Sequence, residues 1–184
     1  RGLITQNGLW MLVAQAKESA QWFCGKEISN DFISQIHCKM QKHMQNIILI
    51  GMPGSGKSTV GQMLANALHK PFVDADAEIE KTAGLKIPEI FAKHGENTFR
   101  KIETEVLDRL GKQSGFIIST GGGCVTRVSN YPLLHQNSTI ICLDRRIDAL
   151  PTAGRPLSQK NSLMEMYIMR KPLYDSFADL VVDN

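Results

Sequence analysis

Cysteine, aromatic side chains and an excess of charge of one sign are all scarce in this sequence of 184 residues. The four cysteines form no CxxC pair and show no metal-ligand spacing, which favours a reduced intracellular protein over a disulfide framework. A net charge of +3 excludes a disordered acidic tail and argues against a strongly basic nucleic-acid binder. The hydrophobic fraction of 42% is typical of a globular protein with a core.

Long hydrophobic runs are also missing. No apolar stretch approaches the roughly 18 residues that a membrane-spanning helix needs, and no secretory signal is visible. We therefore expect a cytoplasmic protein that contacts neither membrane nor nucleic acid. The first residue is Arg1 rather than Met, and we interpret the sequence as a fragment of a longer one.

Two regions of the chain have different patterns. In residues 1–45, apolar side chains recur at helical spacing up to Gly25, and a more polar helix is predicted from about Asn30 to His43. From Asn46 onward, short apolar segments alternate with helical ones. The predicted strands are 47–50, 72–73, 116–119, 139–143 and 180–182. This alternation predicts an α/β domain with a five-stranded parallel sheet, preceded by an N-terminal helical extension.

Residues 51–58 read GMPGSGKS and fit the GxxxxGK[ST] pattern between a predicted strand and a predicted helix. Glycines let such a loop turn tightly, so that backbone N–H groups and the helix N-terminus face phosphates. Lys57 is then expected to reach the β- and γ-phosphates, and Ser58 to hold Mg²⁺. The predicted nucleotide-binding residues are Gly54, Ser55, Gly56, Lys57, Ser58 and Thr59.

Asp74 and Asp76 lie one residue apart at the end of a predicted strand. Side chains at i and i+2 share a face, so both carboxylates can face the crevice at the carboxyl edge of the sheet. Such a pair can order the water of a Mg²⁺ ion and accept a proton from a substrate hydroxyl. The alternative is that Asp76 only caps a helix that begins near Ala77.

Three further features have both a functional and a structural interpretation. Arg100 and Glu103, at i and i+3, form either part of a site or a surface salt bridge. Arg170 lies on the inward stripe of its helix and pairs either with an anionic ligand or with a buried carboxylate, and Pro172 predicts a kink or break nearby. Gly121–Gly123 permits close approach of the backbone to a ligand, or is a flexible turn.

The loop around Arg155, in the segment Gly154–Pro156, is rich in turn residues between two predicted helices. Such a loop can act as a mobile lid whose arginine covers a transferred phosphate. An exposed loop arginine without function is the alternative.

Six segments, in this order, resemble the shikimate kinase family: GMPGSGKST, FVDADAEIE, GENTFRKIE, STGGG, GRPLS and MRKPLYDSFADLVV. The resemblance covers residues 46–184. It implies a P-loop NTPase-like fold of the nucleoside monophosphate kinase kind, a three-layer sandwich with a five-stranded parallel sheet. It also implies transfer of the γ-phosphoryl group of ATP to the 3-hydroxyl of shikimate, with Mg²⁺, in chorismate and aromatic amino-acid biosynthesis.

The resemblance assigns roles to individual residues. Asp76 would bind shikimate hydroxyls and act as the base or orienting group, while Lys57 and Arg155 would neutralise charge on the transferring phosphoryl group. Arg155 would also contact ATP. The implied Mg²⁺ site consists of Ser58, Asp74 and Ser119.

The resemblance also implies the shape of the acceptor site. Two arginines and the glycine backbone would clamp the shikimate carboxylate, because a guanidinium pairs with it in a bidentate way. Two phenylalanines would line the ring pocket. The implied substrate-binding residues are Asp76, Arg100, Glu103, Gly121, Gly122, Gly123, Arg170, Phe91 and Phe99.

The sequence departs from the family pattern in two places. A lid is expected near residues 151–160, but the arginine that stacks on adenine in the family is missing from this short stretch. The chain stops at Asn184, where the family continues through an adenine-contacting loop into a C-terminal helix.

The N-terminal region has a resemblance of its own. Residues 7–16, NGLWMLVAQA, followed by Trp22 and Gly25, resemble the C-terminal end of shikimate dehydrogenase, in which the residue matching Gln15 contacts substrate. The resemblance implies a remnant of a dehydrogenase–kinase fusion, without an NADP-binding domain and hence without dehydrogenase activity. The kinase domain is expected to be a monomer.

Two other functions remain open from the residues alone. One is a different P-loop kinase for a small alcohol, such as a gluconate kinase relative, which a substrate panel separates from the first. The other is a non-catalytic nucleotide-binding module, which would bind ATP without turnover.

Overall fold

The chain divides into two units, Arg1–Met44 and Gln45–Asn184. The structure is a computed structural model, and it describes residues 8–150 and 160–184. No helix within these ranges is long and apolar enough to cross a membrane.

The first unit is a helical hairpin. Its helices are α1, Leu9–Cys24, and α2, Asn30–Met44. Gly25 ends α1 in the left-handed conformation, with φ of 61°, as the sequence predicted. The ring of Trp10 contacts His37 at 5.1 Å between centroids, and Lys17 donates to Asn30 at 2.7 Å. The start of α1 therefore meets the later part of α2, and the two helices run antiparallel.

The second unit alternates strands and helices. Its elements are β1 Asn46–Ile50, α3 Lys57–Leu68, β2 Phe72–Asp74, α4 Ala75–Ala83, α5 Ile87–Gly111, β3 Ile117–Ser119, α6 Asn130–His135, β4 Ser138–Asp144, α7 Lys160–Phe177 and β5 Leu180–Asp183. The strands lie in the order β2-β3-β1-β4-β5, and every neighbouring pair is parallel. This confirms the predicted five-stranded parallel sheet.

The central strand β1 shows why the sheet needs helices on both faces. Ile48, Leu49 and Ile50 are consecutive, and none is more than 1% exposed. Successive side chains of a strand point to opposite faces, so both faces at β1 are covered. The β4 residues Ile140 and Cys142 and the helix residue Leu107 belong to the same core. A short continuous apolar run between turn residues is thus sufficient to predict this strand.

Two helices contain a residue that usually interrupts a helix. Gly95 within α5 leaves the helical region, with φ of 73° and ψ of 171°. The helix is therefore two segments joined at a kink. α7 continues past Pro172, so of the predicted alternatives, a kink or a break, the break is wrong. The residues that follow, Tyr174 and Phe177, are 1% and 3% exposed, and their packing holds the last turn despite the missing backbone N–H.

Candidate active site

Three strand ends meet at one edge of the sheet. The P-loop, residues 51–58, follows β1, Asp74 ends β2 and Ser119 ends β3. β3 pairs with both β1 and β2, with Ser119 opposite Leu49 on one side and Asp74 on the other. Parallel strands place their carboxyl ends at the same edge, which is where open α/β sheets bind ligands.

The P-loop is a compact turn of backbone with Lys57 folded over it. Gly51 has φ of 141°, and a side chain on it would collide with the carbonyl oxygen of Leu143. The Lys57 ammonium donates to the carbonyls of Gly51 at 3.0 Å and Met52 at 2.8 Å. Lys57 is only 7% exposed. Of the other predicted nucleotide residues, Gly54, Ser55 and Gly56 form the loop and Thr59 lies in the first turn of α3.

Three oxygen-bearing side chains meet beside the P-loop. Ser58 Oγ donates to Asp74 Oδ2 at 2.7 Å and lies 3.2 Å from Ser119 Oγ. Across the described ranges, no group of three or more His, Cys, Asp or Glu side chains is suited to a metal ion. Hydroxyl and carboxylate oxygens fit Mg²⁺, which takes few ligands from a protein and keeps several waters or phosphate oxygens.

The helix cap after β2 is Asp74, not Asp76. Asp74 Oδ1 accepts from the backbone N–H groups of Asp76 at 3.0 Å and Ala77 at 3.3 Å, and α4 begins at Ala75. The alternative in which Asp76 caps a helix starting near Ala77 is therefore wrong. The Asp76 carboxylate is left available to other groups.

Asp76 is half-buried at the carboxyl edge of the sheet. Burial raises the pKa of its carboxyl group, and the negative charge of Asp74 adds to that effect, while the positive charges of Lys57 and Arg100 oppose it. A carboxylate with a raised pKa is a better proton acceptor than one in water. The environment suits a general base.

The glycine loop Gly121–Gly123 follows β3 and packs against three parts of the site. A Cβ on the first glycine would lie 2.6 Å from a carboxylate oxygen of Asp76, and one on the second 2.7 Å from the ring of Pro53 in the P-loop. A Cβ on the third would collide with the guanidinium of Arg100. Glycine is required here because any side chain would displace one of these groups. The loop is therefore a packed junction and not a simple flexible turn.

Arg100 is held from several directions. Its guanidinium donates to Glu103 at 2.8 Å and to Glu96 at 3.2 Å, and it lies 5.1 Å from the centre of the Phe99 ring. The side chains of Arg100 and Glu103 are only 11% and 2% exposed, so the alternative of a surface salt bridge is wrong. Burial raises the pKa of the Glu103 carboxyl group, and the hydrogen bond from Arg100 partly offsets the rise.

The two predicted ring-pocket residues contact each other across the kink in α5. The rings of Phe91 and Phe99 are 4.6 Å apart at an angle of 32°. Phe99 is 5% exposed and Phe91 38% exposed. Together they form an apolar wall next to Arg100.

Arg170 contacts the glycine loop from α7. Its Nη1 donates to the carbonyl of Gly122 at 3.1 Å, and the side chain is half-buried. Within residues 8–150 and 160–184 it forms no salt bridge, so the alternative of a buried ion pair finds no partner there. Arg155 and residues 151–159 of the predicted lid lie outside the described residues.

Sequence reasoning missed Tyr174. It lies one helical turn after Arg170, is 1% exposed, and donates its hydroxyl to the same carbonyl of Gly122 at 2.5 Å. Extending the inward stripe of α7 by four residues from Arg170 would have found it. A second missed residue is Asn184, whose side chain donates to the carbonyl of Ser55 in the P-loop at 2.7 Å.

Comparison with known proteins gives one consistent answer. The sequence profile of shikimate kinase matches residues 53–184. The chain is 41% identical over 148 residues to shikimate kinase of Nitrosomonas europaea, covering 76% of this chain and 70% of that one. It is 45% identical over 148 residues to shikimate kinase of Synechococcus sp. strain RCC307, covering 74% of each.

Solved structures agree with the sequences. Shikimate kinase from Acinetobacter baumannii in complex with shikimate superposes with a TM-score of 0.73 and 35% identity, covering 79% of this chain and 87% of that one. Shikimate kinase from Aquifex aeolicus gives 0.67 and 36%, covering 75% and 86%. The profile match, the sequence identity and the fold all agree, so the chain belongs to the shikimate kinase family.

Proposed function

We propose that this chain transfers the γ-phosphoryl group of ATP to the 3-hydroxyl of shikimate, forming shikimate 3-phosphate for aromatic amino-acid synthesis. One observation carries this function: the glycine loop Gly121–Gly123 packs against Asp76, the P-loop and Arg100 at once. A proton acceptor, a phosphate-binding loop and a carboxylate-binding cation therefore surround one small space. An alcohol that also carries a carboxylate fits these three groups.

The phosphates of ATP bind at the P-loop. Its backbone N–H groups and the N-terminus of α3 provide a site for anions. Lys57 lies over the loop, where its ammonium group can move from backbone carbonyls to phosphate oxygens. In this role it neutralises the charge that develops on the γ-phosphoryl group.

The metal site proposed for this chain is the cluster of Ser58, Asp74 and Ser119. When bound, Mg²⁺ would supply positive charge that stabilises the negative charge of the ATP phosphates. The hydroxyl of Ser58 is the expected direct ligand of the ion. Asp74 and Ser119 would hold waters that are coordinated to the ion. The hydrogen bonds among the three side chains, at 2.7 and 3.2 Å, support this arrangement.

Asp76 is proposed to accept the proton of the substrate hydroxyl. As that proton moves to the carboxylate, the hydroxyl oxygen forms a bond to the γ-phosphorus and the bond to the bridging oxygen of ADP breaks. Burial of Asp76 makes this transfer easier by raising the pKa of its carboxyl group. Positioning and electrostatic stabilisation supply most of the rate enhancement.

The carboxylate of shikimate is proposed to bind between Arg100 and Arg170, next to the backbone of the glycine loop. Glu103 and Glu96 hold the guanidinium of Arg100, and the ring of Phe99 packs beneath it. Only the remaining N–H groups of Arg100 are then free to bind substrate, which fixes the direction of the interaction. The apolar wall formed with Phe91 would contact the carbon ring.

The adenine base is proposed to bind in a groove beside the P-loop. Asn184 lines this groove and also donates to the carbonyl of Ser55 in the P-loop. The groove is therefore next to the P-loop. A guanidinium can stack on an adenine ring in place of the lid arginine of the family. The residues that line the groove include Arg145, Arg146, Tyr167 and Met164.

Phosphorus NMR tests the reaction directly. The protein with ATP, Mg²⁺ and shikimate should give a new phosphomonoester signal that is absent without shikimate. Turnover only with another alcohol, such as gluconate in the same assay, would assign the chain to a different small-molecule kinase. ATP binding without turnover of any alcohol would leave a non-catalytic nucleotide-binding module.

We also propose that the helical hairpin is a remnant of shikimate dehydrogenase, placed before a monomeric, cytoplasmic kinase domain. The motif around Gln15 supports this origin. Residues 1–44 are too few to form an NADP-binding domain, so a purified protein of residues 1–184 should show no shikimate-dependent reduction of NADP⁺. Detectable reduction would contradict the proposal.

A further inference from the structure

The hydroxyl of Tyr174 is a buried polar group that the phosphoryl transfer itself does not use. It donates to the carbonyl of Gly122 at 2.5 Å and lies 3.9 Å from the sulfur of Met52 in the P-loop. Burial raises the pKa of Tyr174, so the phenol keeps its proton and remains a donor. The residue therefore contacts both loops that build the site.

The carbonyl of Gly122 accepts two hydrogen bonds. Arg170 donates to it at 3.1 Å, in addition to the bond from Tyr174, which occupies both lone pairs of the oxygen. The Cα of the same residue faces Pro53, where an added methyl group would lie 2.7 Å from the ring. Gly122 is thus fixed by α7 on one side and by the P-loop on the other.

We infer that Tyr174 is a positioning residue, which acts through Gly122 to fix Arg170 and the glycine loop for the acceptor substrate. This inference rests on the proposed function. Without the hydroxyl, the carbonyl of Gly122 keeps only the bond from Arg170, and both the loop and the guanidinium gain freedom. The loss should weaken binding of the acceptor substrate and not of ATP, because Lys57 and the backbone of the P-loop keep their own contacts.

The variant Tyr174→Phe removes only the oxygen, and Tyr131→Phe is its matched control. The ring of Tyr131 stacks on His135 at 5.0 Å, but in the described part of the chain its hydroxyl makes no hydrogen bond. Tyr174→Phe should raise KM for shikimate about fivefold, the factor for one ordinary hydrogen bond. KM for ATP and kcat should change less than about twofold, and Tyr131→Phe should leave all three unchanged. Equal changes in both KM values would overturn the inference.

A double variant tests whether Tyr174 acts through the same carbonyl as Arg170. If it does, Tyr174→Phe combined with Arg170→Ala should raise KM for shikimate by clearly less than the product of the two single changes. A rise equal to that product would show independent action and overturn the inference.

Hydrogen exchange in the ligand-free protein separates this inference from the proposed function. The backbone N–H groups of Cys124 and Thr126 donate to the carbonyls of Gly121 and Gly123, so they report on the glycine loop. Their exchange should be about fivefold faster in Tyr174→Phe than in the unaltered protein or the Tyr131 control. If the unaltered protein fails to phosphorylate shikimate, the proposed function fails, and exchange still decides the role of Tyr174. Unchanged exchange in the Tyr174 variant would overturn that role.

Discussion

The helical hairpin and the α/β unit differ sharply in how well they bury their apolar side chains. In the hairpin, Val13 and Ile33 are buried, whereas Trp22 and Phe23 are 92% and 93% exposed. In the α/β unit, the residues of β1 from Ile48 to Ile50 are at most 1% exposed. Two helices share one interface, but a sheet covered by helices has two, and the buried fraction of a unit rises with its size.

This difference in burial determines which unit can hold an active site. A carboxylate such as Glu103 can be held at 1% exposure only inside a unit with a core, and there its pKa and geometry are controlled by its neighbours. Every described residue proposed for the active site lies in the α/β unit.

Replacing the proposed base should affect catalysis far more than any carboxylate change in the hairpin. Asp76→Asn keeps the shape of the side chain but removes the proton acceptor, so kcat should fall by about a thousandfold. ADP release measures the loss, and calorimetric titration with ATP should show nucleotide binding largely retained. Asp31→Asn in α2 is the control and should leave kcat unchanged. Retention of most of the activity by Asp76→Asn would refute the assignment.

The four cysteines should divide between the two units. Cys24 and Cys38 are exposed in the hairpin, whereas Cys124 and Cys142 are buried. Burial raises the pKa of Cys124 to about 12 and that of Cys142 to about 11, so at pH 8 both remain neutral thiols. Iodoacetamide should modify the buried pair at least about a hundredfold more slowly, because the thiolate is the nucleophile.

Peptide mass spectrometry after timed alkylation measures this difference. Raising the pH should speed the reaction of Cys142 before that of Cys124, since the lower thiol pKa is reached first. Equal rates at all four cysteines in the native protein would show that the two units protect their residues equally.

Removing one arm of the carboxylate clamp should weaken acceptor binding. Arg170→Ala should raise KM for shikimate about thirtyfold, the effect of losing a charge-assisted interaction, with a smaller change in KM for ATP. Arg109→Ala is the matched control, because Arg109 also pairs with a carboxylate, Glu78, but is half exposed on α5. Steady-state kinetics with each substrate varied gives both constants. An unchanged KM for shikimate would exclude Arg170 from the clamp.

Deleting the hairpin should have the smallest effect of all. A chain that begins at Gln45 keeps the entire α/β unit, so kcat/KM for both substrates should stay within about twofold. The same deletion should remove the two fast-reacting thiols described above. A tenfold loss of kcat/KM with an intact circular dichroism spectrum would show that the hairpin takes part in the reaction.

Local patterns were sufficient to predict much of the fold. The apolar run of β1 and the glycine pattern of residues 51–58 act over a few residues, and their structure follows from backbone geometry. The continuation of α7 past Pro172 was not predictable in this way. Tyr174 and Phe177, which follow Pro172, pack in the core, and this packing outweighs the local tendency of proline to end a helix.

In the candidate site, too, some features were predictable from the sequence and others were not. The resemblance to shikimate kinases implied a site of Ser58, Asp74 and Ser119, and these residues are close because parallel strands bring their carboxyl ends together. Which aspartate caps α4 was not, since either position satisfies the spacing. The sequence also left the roles of Arg100 and Arg170 open, because helical spacing shows which residues share a face but not what that face meets.

Sequence patterns alone were enough to predict the alternation of strands and helices, the phosphate loop and the family to which the chain belongs. These depend on residues close together in the chain, where periodicity and turn chemistry act directly. The folded structure was needed to show that the glycine loop contacts Asp76, the P-loop and Arg100, and that Tyr174 donates to it from α7. Such contacts join residues more than twenty positions apart, and their energy depends on burial and distance, which exist only in the folded chain.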